Sequence, residues 1–165
     1  MQKEFDKIGP VIFDDTDKIF ANKIRKTLID ADILDSFQRI GINTPLDMPL
    51  CDFVAPLNNV GGGGIGSTDV GDVSWVETTV QAIVATCAVG TSFHTWQAVA
   101  QGKSSLAHKG MIHVAKVMAS TARALIEYPK NLKEAKEIFN LQVSKNPYIC
   151  PIPRAFLPPV IKNNI

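Results

Sequence analysis

Histidine and cysteine are scarce in this chain, three of each in 165 residues, and each scarcity closes off a class of chemistry. Cys51, Cys87 and Cys150 are odd in number, widely spaced and never joined in a Cys-x-x-Cys pair. That pattern excludes a disulfide framework and a thiolate zinc knuckle, and it reads as reduced, buried thiols. A hydrolytic zinc site places typically three protein ligands around each metal, so His94, His108 and His113 are too few to build a metal pair alone. Charge of one sign is missing too. Seventeen basic and 16 acidic residues leave a net charge of +1, with no footprint for nucleic acid or an anionic membrane. No run reaches the roughly 20 apolar residues of a membrane span; the longest apolar-rich stretch, 106–125, is broken by His108, Lys109, His113, Lys116 and Arg123. The opening segment 1–7 carries Glu4 and Asp6 where a secretory signal would have its apolar core. A cytoplasmic chain is expected, with neither nucleic acid nor membrane as partner.

What is present is an ordinary globular composition. With 45% hydrophobic and 20% charged residues, residues 1–165 are expected to form a single domain with a real core. Ile19, Phe20, Ile24, Leu28 and Ile29 recur at helical spacing behind an acidic N-cap at Asp14 or Thr16, which predicts a helix over 16–31. Ser104 or Ser105 caps a second over 104–127, with Leu106, Met111, Val114, Ala115, Met118 and Leu125 as its buried side. Leu132, Ala135, Ile138, Phe139 and Leu141 predict a third over 131–144. Between these, Thr79, Val80, Ile83, Val84 and Val89 favour one or two strands within 78–90, with short extended pieces near 50–54. The expected fold is therefore α/β, with helices packed on a mixed sheet. Residues 40–74 hold most of the glycines, and five prolines between 146 and 159 exclude regular structure there.

Two segments carry candidate chemistry. Gly66-Ser67-Thr68-Asp69-Val70-Gly71-Asp72-Val73-Ser74-Trp75 packs two hydroxyls and two carboxylates into a Gly-flanked loop, where backbone and side-chain groups can approach a substrate closely. Further along, Phe93-His94-Thr95-Trp96 sets one imidazole between apolar neighbours. Each has a plainer reading. Asp69 and Asp72 could bond their own turn backbone, and His94 could be a structural histidine. His108 and His113 are five apart on one helix, so they face different sides and cannot chelate together as an i, i+4 pair would. His113 is expected to be packed, whereas His108, in the first helical turn, stays a candidate. Gly61, Gly63 and Gly66 match a dinucleotide-binding string only because four consecutive glycines make the match nearly automatic. Gly102-Lys103-Ser104 lacks the phosphate-loop glycine, Gln97 standing in its place, and Ser67 lacks the flanks of a nucleophile elbow.

Longer words go further than spacing. The Gly66–Trp75 run, the stretch from Gly90 to Met111 that includes Phe93-His94-Thr95-Trp96, and Tyr148-Ile149-Cys150-Pro151-Ile152-Pro153 closely resemble the aminobenzoyl-glutamate hydrolase branch, of the B-subunit type, in the metal-dependent aminoacylase and carboxypeptidase superfamily. The resemblance spans nearly the whole chain. It implies an amidohydrolase in which a pair of divalent metals, as a rule zinc, polarises an amide carbonyl and activates a bridging water, with a glutamate as general base. It also implies a zinc-peptidase-like catalytic α/β domain interrupted by a smaller lid domain that mediates dimerisation, this chain matching only the C-terminal part after the lid. His94 matches the family's last metal-binding histidine. Ser67, Thr68 and Asp69, with Asp72 beside them, match a segment that lines the active site and binds substrate, and His108 is a candidate outer group that orients a ligand.

The departures count as much as the matches. The family's His-x-Asp ligand motif, the Glu-Glu pair that supplies base and ligand, and the remaining ligands have no counterpart here. No catalytic residue is therefore assigned within the chain, and one imidazole cannot hold a metal pair. The expectation is a C-terminal fragment of an enzyme that hydrolyses an N-acyl amino acid such as p-aminobenzoyl-glutamate, inactive and without stoichiometric metal when alone, and homo-oligomeric at full length. Two alternatives stay open: half of a split enzyme that joins a separate N-terminal partner, and a binding module that kept the fold and lost the metals. His94 and the 66–72 loop are expected to meet at one edge of the sheet.

Overall fold

The computed structural model describes residues 1–39, 47–57, 68–153 and 155–157. Seven helices follow in chain order among these residues: α1 (Gln2–Ile8), α2 (Asp15–Arg25), α3 (Asp30–Arg39), α4 (Val70–Val76), α5 (Trp96–Gln101), α6 (Ser105–Glu127) and α7 (Pro129–Lys145). Local chemistry sets most of their ends. Asp14 caps α2 through a reciprocal box, accepting from the Asp17 amide at 3.0 Å while the Asp17 carboxylate accepts from the Asp14 amide at 3.1 Å. The expected helix over 16–31 is two helices. The Thr27 hydroxyl donates back to the Ile24 carbonyl at 2.7 Å, an alternative to the helical ladder that accompanies the end of α2 before α3 restarts at Asp30. Ser104 caps α6 by accepting from the Ala107 amide. That helix stops at Tyr128, because a residue before proline is pushed out of helical geometry, while Pro129 is well suited to open α7.

The sheet is the main correction. Among the described residues there is no strand, so the expected α/β fold with helices on a mixed sheet is replaced by helices and irregular chain. A β-branched sequence becomes a strand only when another strand completes its ladder, and neither 78–90 nor 50–54 has one. A backbone bond from the Val89 amide to the Pro49 carbonyl at 3.0 Å joins the first stretch to the residue just before the second.

Contacts separate the chain into two compact units, 1–66 with 80–128 and 67–79 with 129–165. The first has a core of Val11, Phe13, Ala21, Ile24, Leu50, Ala88, Leu106 and Ala107. Its long helix α6 buries Leu106, as expected, but with Ala107, Gly110, Val117 and Thr121 and not with the expected methionines: Met111 is 57% and Met118 56% exposed. The reason lies at Gly110, where an added Cβ would stand 2.1 Å from the Ala85 carbonyl oxygen. With no side chain there, the backbone of the 80s segment lies directly on the helix and selects the face that carries Gly110.

Two polar devices tie this unit together. Asp17 is only 2% exposed and is paired with Lys109 of α6, whose ammonium also donates to Asp14 at 2.6 Å. The Lys109 hydrogen bond, then the Asp17 amide, hold the Asp14 carboxyl below its ordinary range, and the Asp14 and Asp17 carboxylates hold the Lys109 ammonium above its own. Gln101, 1% exposed, accepts from the Ala88 amide at 2.7 Å and donates to the Thr91 hydroxyl at 3.1 Å and the Gln97 carbonyl at 3.0 Å. The second unit is built differently. Neither α4 nor α7 has a buried residue, and Leu132, Ile138 and Leu141 all stay on the surface of α7. Among the described residues, no helix is long and apolar enough to cross a membrane.

Candidate functional site

In the first unit, Gln101 pins the 88–91 turn to α5, and this turn leads into the only non-glycine residue with positive φ among the described ones, His94 at 65°. The left-handed region costs an L-residue roughly 1–2 kcal/mol, so its occupation has to be enforced by the surroundings. Thr95 does so on one side, donating to the Ser92 carbonyl at 2.7 Å while capping α5 through the Ala98 amide at 3.3 Å. The imidazole projects from this held turn into solvent and makes no hydrogen bond to a described residue. It is accessible, but among the described residues there is no sheet for it to border.

His108 is exposed on α6. His113 is half-buried against the Phe5 ring, with centroids 6.4 Å apart, and its Nε2 is enclosed without a hydrogen-bond partner. The packed reading of His113 fits that position. Cys51 and Cys87 line an apolar cavity of about 350 Å³ with Phe5, Phe37, Phe53 and Phe93. Burial pushes both thiols up, which favours the neutral thiol over the nucleophilic thiolate. Cys150, in contrast to the expectation of a buried thiol, is exposed.

The second unit contains the other expected site residues that can be described. Ser67 and the Gly61–Gly66 run lie outside the described residues. Beyond them the expected loop is helical from Val70 to Val76, with Asp69 at the N-cap position making no capping bond. Thr68, Asp72 and Trp75 line a cleft of about 420 Å³ together with Pro147, Tyr148 and Pro151. The Tyr148 hydroxyl donates to Asp72 Oδ1 at 3.0 Å. Two of the words that carry the resemblance, far apart in sequence, therefore form one surface. Desolvation, then the Asp72 carboxylate and Cys150, push the Tyr148 phenol up to about 12, so at neutral pH it remains a donor. Asp72 does not follow its plainer reading, since its partner is a distant side chain and not its own turn.

Tyr148 and Trp75 are site residues that sequence reasoning does not single out. The signal available is Tyr148 at the head of a proline-rich word, where Pro147, Pro151 and Pro153 restrict the backbone. Gln101 escapes as well, because nothing local marks a glutamine as a buried hub. His94 belongs to the first unit and the 68–72 segment to the second, so the expected pairing of the two is a feature of neither. Among the described residues no three His, Cys, Asp or Glu side chains are grouped to hold a metal ion.

Comparison with known proteins gives a specific relative. Over 153 residues the chain is 37% identical to the B subunit of p-aminobenzoyl-glutamate hydrolase from Escherichia coli (strain K12), a match that takes in 87% of this chain and 32% of that protein. The chain thus spans about a third of the length of this curated relative, in its C-terminal part. No protein-family profile matches the chain. No solved structure matches it either.

Proposed function

We propose that this chain supplies the C-terminal part of a metal-dependent amidohydrolase that cleaves the amide bond of an N-acyl amino acid such as p-aminobenzoyl-glutamate. The observation that carries the reading is the 37% identity to the B subunit of p-aminobenzoyl-glutamate hydrolase across 87% of the chain. Two features of the molecule support it. The Thr68–Asp72–Trp75 surface and Tyr148 form a cleft of a size that accepts a small aromatic group. The strained, solvent-facing turn at His94 is a backbone outlier of the sort that marks function.

The donor set of the chain does not by itself fit a divalent pair. One exposed imidazole, with no carboxylate or histidine grouped around it among the described residues, is a single ligand, so no chemical step is assigned through a metal here. In this reading His94 contributes one ligand to a zinc pair completed by residues outside the 165. The general base also lies outside them, and Ser67, Thr68, Asp69 and Asp72 contact substrate. The chain works in the cytoplasm, with the remaining part of the catalytic domain as its partner, within a homo-oligomer.

An amidase assay with elemental analysis tests this on the 165-residue chain beside a protein of the relative's full length. Hydrolysis of p-aminobenzoyl-glutamate by the longer protein, lost on His94→Ala with the fold intact, supports the reading. Turnover and two zinc ions in the 165-residue chain alone would overturn the assignment of the missing ligands. Absence of amidase activity in both would overturn the function.

A further inference from the structure

We propose that the Asp72–Tyr148–Trp75 cleft is an arylamine subsite, holding the aminophenyl end of the substrate and excluding its glutamyl end. The inference rests on the hydrolase reading above and adds to it which part of the substrate this surface recognises, and by which groups.

The argument is one of charge and shape. An N-acyl glutamate substrate has two chemically opposite ends. The glutamyl end carries two carboxylates, whose charge calls for cationic partners. The aminophenyl end is flat and apolar, with a neutral amine that donates. Among the described residues no lysine, arginine or histidine lines the cleft, and its charged group is the Asp72 carboxylate. A second carboxylate brought beside Asp72 would be repelled, with no cation in that lining to offset it.

An amine is suited to the same position. Asp72 Oδ1 already accepts from the Tyr148 hydroxyl, which fixes the carboxylate's orientation, and a carboxylate has further lone pairs for another donor. The raised phenol of Tyr148 keeps that oxygen a donor through the neutral range, so it holds the carboxylate without competing for the ligand's protons. Around this polar point the walls are aromatic and ring-shaped: the Trp75 indole, half-buried, the Tyr148 ring, and Pro147 and Pro151. A flat aryl ring offers such walls stacking contact, which an aliphatic glutamyl chain cannot do.

Binding by the 165-residue chain tests the inference without requiring catalysis. The probes are p-aminobenzamide, benzamide (the same ring without the amine) and glutamate, followed by the indole NMR signals of Trp75 and Trp96, assigned with Trp96→Phe. The expected result is saturable binding of p-aminobenzamide that moves the Trp75 signal. Affinity for benzamide should be roughly tenfold weaker, as befits one lost hydrogen bond to a charged group, and glutamate should not bind. Asp72→Asn should erase most of the preference for the amine, and Tyr148→Phe should weaken it; both side chains sit at the surface, and unchanged helical circular dichroism verifies the fold. Equal binding of the two benzamides, an Asp72→Asn variant that keeps the preference, a shift confined to Trp96, or no saturation in the millimolar range would each overturn the subsite. The two readings fail separately. Amine-selective binding at Trp75 without amidase activity in the longer protein would leave the subsite and remove the hydrolase, whereas hydrolysis with a KM untouched by Asp72→Asn would do the reverse.

Discussion

The two units solve the problem of stability in opposite ways. The first, 1–66 with 80–128, contains every fully buried residue among those described, from Val11 to Thr121. The second, 67–79 with 129–165, has none among them, yet it holds the Asp72–Tyr148 cleft. Burial supplies most of the free energy of folding, so the first unit carries most of the stability, whereas the second presents the cleft proposed above as a subsite on little core of its own. Substitutions should therefore sort by unit: costly to stability in the first, costly to recognition in the second.

A pair of glycine replacements tests that contrast most strongly. In the first unit, Gly110→Ala pushes a methyl group into the Ala85 carbonyl, and overpacking of that kind should cost about 3 kcal/mol, against about 1 kcal/mol gained in helix propensity. In the second, Gly71→Ala meets nothing within 4 Å and should be neutral or stabilising by up to about 1 kcal/mol. Urea unfolding of both variants measures the difference, and equal costs would break the comparison. Gln101→Leu comes next. It strands the buried Ala88 amide, for a cost of about 2 kcal/mol, and hydrogen exchange at Ala88 should accelerate with it.

His94 sharpens the comparison, since the reading proposed above places a metal ligand on the well-packed unit. His94→Gly relieves the left-handed strain and should leave stability unchanged or raise it by up to about 1 kcal/mol. The same variant should abolish amidase activity in a protein of the relative's length. A loss of both stability and activity would assign the imidazole a structural role.

The smallest effect belongs to the second unit and is read by pH. The Tyr148 phenol is raised in the folded chain, to about 12, from about 10 when unfolded. A raised group contributes stability that is complete below its unfolded value and lost as pH climbs through the folded one, so that contribution should decay between about pH 10 and about pH 12, while the Tyr148–Asp72 bond itself persists in the folded chain until pH rises through about 12. Near-ultraviolet absorbance follows the phenolate directly, and the late step should vanish in Tyr148→Phe.

Some of this organisation is legible residue by residue. Ser104 and the Tyr128-Pro129 step bound α6 within a residue or so of the expected 104–127, and α7 contains the expected 131–144. The resemblance to the hydrolase branch is legible because long words keep their order regardless of fold. The absence of strands over 78–90 is not, since their β-branched composition favours an extended chain without saying whether a partner strand exists. Nor is the buried side of α6, where Met111 and Met118 look like core and Gly110 is the actual contact.

The sequence by itself determined what depends on neighbours in the chain: the caps that open α2 and α6, the Tyr128-Pro129 step between α6 and α7, the scarcity of metal ligands, and the motifs that tie the chain to its hydrolase relative. Only the tertiary structure decided that no strand forms among the described residues, that α6 buries its Gly110 face, that Gln101 holds the turn before His94, and that Asp72 is bonded to Tyr148. The physical reason is the range of the interactions. A helix closes its hydrogen bonds four residues away and a cap within three, so both are written locally. A strand needs a ladder partner, a buried face needs an opposing surface, and a binding cleft needs side chains as distant as Asp72 and Tyr148, and none of these partners is named by the residues on either side.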